Sequence, residues 1–134
     1  MAVVRSWDQT RRPRRAVSEA EKQTIIEACE RLIADYLKPR FQPKITPTEF
    51  NYPVDIGGAW SGGRYRFFQR YRSGYEDNRG EEFNAPFARL DCIGPDSFDI
   101  YWMRHTGKWW RLHAGVTLEE AMRLLEMDGL LHPD

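Results

Sequence analysis

Ser97-Phe-Asp-Ile-Tyr-Trp-Met-Arg-His-Thr-Gly-Lys-Trp-Trp-Arg-Leu112 holds three of the chain's five tryptophans and reads as one β-hairpin. Phe98, Ile100 and Trp102 recur at the two-residue period of a strand, which puts them together on the buried side. His105-Thr106-Gly107 supplies the turn, and residues 108–113 the returning strand. Trp109 and Trp110 are neighbours on that strand, so their rings must face opposite sides of the sheet. Thr117 and Glu120 follow as a capping box, in which the hydroxyl accepts from the third helical amide and the carboxylate reaches back. Leu118, Ala121, Met122 and Leu125 give this helix its buried stripe, and Gly129 is expected as its C-terminal cap.

Upstream of the hairpin the strand signals continue. Phe50, Tyr52, Val54 and Ile56 alternate with Glu49, Asn51, Pro53 and Asp55, which describes a half-buried strand. Pro53 cannot donate to a ladder, so this strand belongs at an edge or is bulged. Gly57, Gly58, Gly62 and Gly63 bracket Trp60 and suggest a flexible loop. In residues 64–72, Tyr65, Phe67, Gln69 and Tyr71 share one face, while Arg64, Arg66, Phe68, Arg70 and Arg72 share the other. Residues 73–84 read as a polar loop, residues 86–93 as a third strand, and Gly94-Pro95-Asp96 as a turn. Near the start, Ser18 and Glu21 form a capping box ahead of Ile25, Cys29, Leu32, Ile33 and Tyr36 at helical spacing. Pro39 is expected to end this helix, because the residue before a proline is pushed out of the α region.

The order is helix, about five strands, helix. Consecutive strands with short turns imply an antiparallel sheet, so the fold class is α+β, with the N- and C-terminal helices covering one face of the sheet. The chain of 134 residues is one domain's worth. Residues 17–134 read as that single domain and residues 1–16 as a flexible basic arm. The formal charge is zero, yet residues 1–15 carry Arg5, Arg11, Arg12, Arg14 and Arg15 against Asp8 alone. The body is therefore mildly acidic, and any attraction for polyanions has to be local. Cys29 and Cys92 fall on predicted apolar faces and read as small buried hydrophobes. No apolar run approaches the ~18 residues of a membrane span, so no membrane partner and a cytoplasmic location are expected.

The segment Asp99-Ile-Tyr-Trp-Met-Arg-His-Thr-Gly-Lys-Trp-Trp-Arg-Leu112, followed by Thr117-Leu-Glu-Glu-Ala121 and Glu126-Met-Asp128, resembles a bacterial family known as domain of unknown function 3024. The N-terminal helix and the proline-bearing connector of residues 18–47 are similar to it as well. The resemblance implies a small single domain. It implies no activity, and no catalytic residue comes with it.

The side-chain chemistry points to binding more than to reaction. Arg64, Arg66, Arg70 and Arg72 line one strand face around Phe68; guanidiniums bind phosphate bidentately and an exposed ring can stack on a base. The plainer reading is a sheet face whose arginines pair across strands with Glu49, Asp55, Asp91 or Asp99. Arg11, Arg12, Arg14 and Arg15 add charge for nucleic acid or an acidic partner, through counterion release. Trp60, Trp109 and Trp110 are candidate contacts for a protein partner, which would dock on the aromatic hairpin or on an edge strand. His105, His113 and His132 are scattered and the two cysteines stand apart, so neither a metal nor another cofactor is expected. Asp91, Asp96, Asp99 and Lys108 are the residues that a small metal-dependent nuclease or hydrolase would use. The expectation is a non-enzymatic binding module engaging nucleic acid, with an accessory subunit and a small nuclease as the alternatives.

Overall fold

In the computed structural model, which describes residues 17–133, helical segments at the two ends flank five strands in chain order. Helix α1 (Glu19–Leu32) opens at Ser18, whose Oγ accepts the Glu21 N–H at 3.1 Å. Its buried residues are Ile25, Cys29 and Leu32, the stripe its spacing requires. The helix does not stop at Pro39. It runs through a π-helical turn, Ile33–Leu37, into a short α2 (Lys38–Phe41). A proline inside an α-helix loses a hydrogen bond and drives its ring against the carbonyl four residues back. Here the Lys38 N–H donates to the Ile33 carbonyl, five residues back, and the widened turn just before Pro39 gives the ring room.

Strands β1 (Asn51–Ser61), β2 (Arg64–Ser73), β3 (Glu82–Gly94), β4 (Ser97–Met103) and β5 (Trp109–Val116) form one sheet in sequential order. Every neighbouring pair is antiparallel. β1 lies at an edge and is bulged between Pro53 and Asp55, as the missing proline N–H demands.

The expected loop around Trp60 is instead strand. β1 runs straight through Gly57 and Gly58, and only Gly62 and Gly63 turn, both at positive φ. The two strand glycines provide clearance. A Cβ on Gly58 would collide with Tyr65 Cε1 and Oη, and one on Gly57 would sit 3.0 Å from the Phe68 ring. Trp60 is therefore a strand residue, half-buried against the core. β3 likewise begins at Glu82, inside the stretch that reads as a polar loop, because Arg72 of β2 stands opposite Glu82 and Arg70 opposite Asn84.

The core occupies one face of the sheet. Ile56, Tyr65, Phe67, Leu90, Cys92, Phe98 and Ile100 pack with Ile25, Cys29 and Leu37 from the N-terminal helical stretch and with Ala121 and Leu125 from α3 (Leu118–Met127). Burial pushes the Cys29 thiol up, so it remains a neutral, apolar group. Trp102 packs against this core, in phase with Phe98 and Ile100.

Both halves of the α3 capping box are made: Glu120 N–H to Thr117 Oγ1 at 3.1 Å and Thr117 N–H to Glu120 Oε1 at 2.9 Å. Asp96, with φ of 44° in its turn, accepts the Leu118 N–H at 2.9 Å and adds a third bond to this helix start. The expected glycine cap at the other end is replaced by Asp128. Its N–H donates to the Leu124 carbonyl and its Oδ1 accepts from the Leu130 N–H, so no left-handed residue is needed. No helix among the described residues is long and apolar enough to cross a membrane.

Gly58→Ala is expected to cost about 1–3 kcal/mol in urea unfolding, because Tyr65 has to move. Gly129→Ala, where a Cβ meets nothing within 4 Å, should change stability by less than ~0.5 kcal/mol. Equal effects would show that Tyr65 accommodates a Cβ at position 58 and that Gly58 is not there for clearance.

Candidate functional site

The alternation that gives the core one face of β2 and β3 gives the arginines the other. In the β2–β3 register Arg64 stands opposite Asp91 and Arg66 opposite Arg89. Asp91 in turn faces Asp99, and Arg89 faces Tyr101, which faces Arg111. Two rows of side chains therefore cross the face turned away from the helices.

The middle of this face is buried. Asp91, Asp99 and Tyr101 are 0% exposed and Arg89 is 4% exposed. Two carboxylates opposed across strands repel one another unless each is neutralised. Arg89 grips Asp91 with a fork, Nε to Oδ1 at 2.8 Å and Nη2 to Oδ2 at 3.0 Å, and Arg64 Nε adds a bond to Oδ2 at 3.2 Å. Asp99 accepts the Gly115 N–H at 3.0 Å and lies 3.6 Å from Arg111 Nη1. The Arg89 guanidinium sits over the Tyr101 ring at 4.2 Å and over the Trp109 ring at 5.0 Å, two cation–π contacts that help to hold it in place.

Along β2 the arginine row divides by partner. Arg64 is committed to Asp91, and Arg72 to Glu82 at 2.8 Å. Arg70 Nε donates to Asn84 Oδ1 at 3.3 Å, a neutral acceptor. Arg66 makes no hydrogen bond or ion pair with a described residue. Burial, followed by the neighbouring Arg89 and Arg64 charges, pushes the Arg66 guanidinium below its ordinary range, with Asp91 opposing. Phe68, between Arg66 and Arg70, lies half-buried over Gly57 of β1.

Of the four acids expected to meet these arginines, only Asp91 takes one from β2. Asp55 pairs with Lys38 at 3.1 Å, and Asp99 belongs to Arg111. Glu82, the partner of Arg72, falls in a stretch that reads as loop, so strand periodicity gives no signal for this pair. Arg11, Arg12, Arg14 and Arg15 lie outside the described residues.

The three candidate tryptophans do not share a surface. Trp60 is on edge strand β1, while Trp109 and Trp110 are on the opposite edge strand β5. Trp109 lies beside Arg89 on the ionic face; Trp110 stands opposite Trp102, with the Arg104 guanidinium 5.0 Å from its ring. The acidic constellation also separates. Asp91 and Asp99 face each other, but Asp96 caps α3 and Lys108 lies in the turn beyond the far end of β4. Among the described residues no group of three or more His, Cys, Asp or Glu side chains could hold a metal ion. One contact had no sequence signal at all: His113 Nε2 meets Asp128 Oδ2 at 2.9 Å and ties β5 to the end of α3.

The family model described as Domain of unknown function (DUF3024) matches residues 17–133, nearly the whole chain, and the chain belongs to that family. No curated protein matches it, and no solved structure does.

Asp91→Ala leaves the buried Arg89 without its carboxylate and is expected to cost about 3–5 kcal/mol in chemical denaturation. Arg72→Ala, which breaks a partly exposed pair, should barely move the midpoint. A small loss at Asp91 would mean that the ionic rows do not hold the sheet register.

Proposed function

We propose that this family member is a non-enzymatic binding module whose arginine-bearing sheet face engages single-stranded nucleic acid. The observation that carries the reading is Arg66: a guanidinium between Arg64 and Arg89, with no carboxylate partner among the described residues, in line with Phe68 and Arg70. Arg64 and Arg89 converge on the same aspartate, which places two guanidiniums beside Arg66 and favours an anion there. A phosphate placed there gains charge-assisted hydrogen bonds and relieves like-charge repulsion at once.

The rest of the row fits an extended ligand. Side chains two residues apart along β2 stand about 6.8 Å apart, so Arg66, Phe68 and Arg70 present cation, ring and cation in sequence. A partly exposed ring between guanidiniums is an arrangement that lets a sheet surface stack a base while tracking a backbone. Arg11, Arg12, Arg14 and Arg15 would add counterion release by composition alone. A cytoplasmic location goes with this reading.

The test is fluorescence anisotropy with labelled oligo(dT) and oligo(rU) across a salt series. Log affinity should fall with log salt by about 0.7 per phosphate engaged. Arg66→Ala should weaken binding and lower that slope by about 0.7, and Phe68→Ala should cost about 1–3 kcal/mol without changing the slope. Arg72→Ala, whose charge already serves Glu82, should matter less. Absence of salt dependence, or an Arg66→Ala, Arg70→Ala double variant that binds as wild type does, overturns the reading in favour of a protein partner.

A further inference from the structure

We propose that the cavity at the C-terminal end of α3 binds a small monoanionic carboxylate with an apolar body. The cavity lies on the helix side of the sheet, away from Arg66, and has a volume of about 320 Å³. That is within the range of small-molecule sites.

Its walls set the body of the ligand. Tyr71, Phe87 and Trp102 come from the adjacent strands β2, β3 and β4, and Leu130 closes the cavity from the segment after α3. Leu130 is 51% exposed although apolar, so it has surface left to cover. Three rings and a leucine favour a flat, apolar guest.

Its charges set the head group. Arg104, His105 and His132 line the cavity, and no Asp or Glu does. The Arg104 guanidinium lies over the Trp110 ring and meets no carboxylate among the described residues. His132 is held in place: the Glu126 carbonyl can only accept, so Nε2 carries the proton in their 2.7 Å bond, and the ring packs 4.7 Å from Phe41. In the cavity wall, Trp102 keeps its buried Nε1–H without an acceptor among the described residues. A cationic guest would face Arg104 with nothing to balance it. A purely apolar guest would leave the guanidinium unanswered. A carboxylate on an apolar body satisfies both parts of the site.

The experiment titrates benzoate, benzamide and benzylamine into the full chain at constant ionic strength, followed by saturation-transfer NMR. Benzoate should saturate with a Kd of millimolar order, as a fragment of its size allows. Benzamide should bind about tenfold more weakly and benzylamine not at all. Arg104→Gln should weaken benzoate about tenfold, Ala85→Phe should abolish it by filling the cavity from β3, and Arg123→Gln on the outside of α3 should leave it unchanged. Equal binding of the amine, a benzoate titration that never saturates, or an unchanged benzoate affinity in Arg104→Gln overturns the proposal. If Ala85→Phe does not fold, Arg104→Gln and the ligand series still decide it. None of these readouts involves nucleic acid, so the outcome is independent of the β2 arginine face.

Discussion

A fully buried carboxylate cannot stand without its counter-charges, and this fold buries two that face each other, Asp91 and Asp99. Asp91 lies on β3 at the middle of the sheet, gripped by Arg89 from its own strand and by Arg64 from β2. Arg89 reaches it along β3 itself, whereas Arg64 reaches it only in one register of β2 on β3. A slip of one residue between β2 and β3 would turn Asp91 and Arg89 into the apolar layer beneath the helices and bring Leu90 and Ala88 out. The apolar layer and the ionic layer thus enforce the same alignment from opposite sides. Such a pair adds little net stability over a hydrophobic filling, but its loss from one side is costly, and that asymmetry gives it its hold on register.

The same constraint distributes the rest of the molecule's chemistry. Because Arg64 and Arg89 converge on one acid, Arg66 is left between two cations. Because Asp99 opposes Asp91, it needs its own donors, and it recruits Arg111 and the Gly115 amide from β5. On the helix side, polar groups serve as ties between elements: Asp96 and Thr117 at the start of α3, Asp128 and His113 at its end. The cavity beside Trp102 lies where Gly129, Leu130 and His132 of the C-terminal segment meet β2, β3 and β4.

The sequence was most legible where one period dominates and the neighbours are local. Phe98, Ile100 and Trp102 fall on the core side because a strand offers only two faces, and Trp109 and Trp110 part company for the same reason. Thr117 and Glu120 close their box because both partners lie within one helical turn. The misreadings arise where a residue's usual meaning yields to a distant neighbour. Glycine commonly signals a loop, but Gly57 and Gly58 are small because Phe68 and Tyr65 lie across them. Proline commonly ends a helix, but the π-helical turn before Pro39 carries the chain past it. Gly129 looked like a cap, and the carboxylate of Asp128 performed the stop.

Periodicity and capping, which are properties of consecutive residues, determined by themselves that this chain forms helix, antiparallel strands and helix, and that five residues of β2 stand on one side with Tyr65, Phe67 and Gln69 on the other. Which of those arginines is neutralised was decided only by tertiary structure. Among the described residues Arg64 and Arg72 found carboxylates, Arg70 an amide and Arg66 neither. The physical reason is that charge pairing depends on cross-strand register, and register is set by how the two faces of the whole sheet are buried, a condition that no short window of sequence contains.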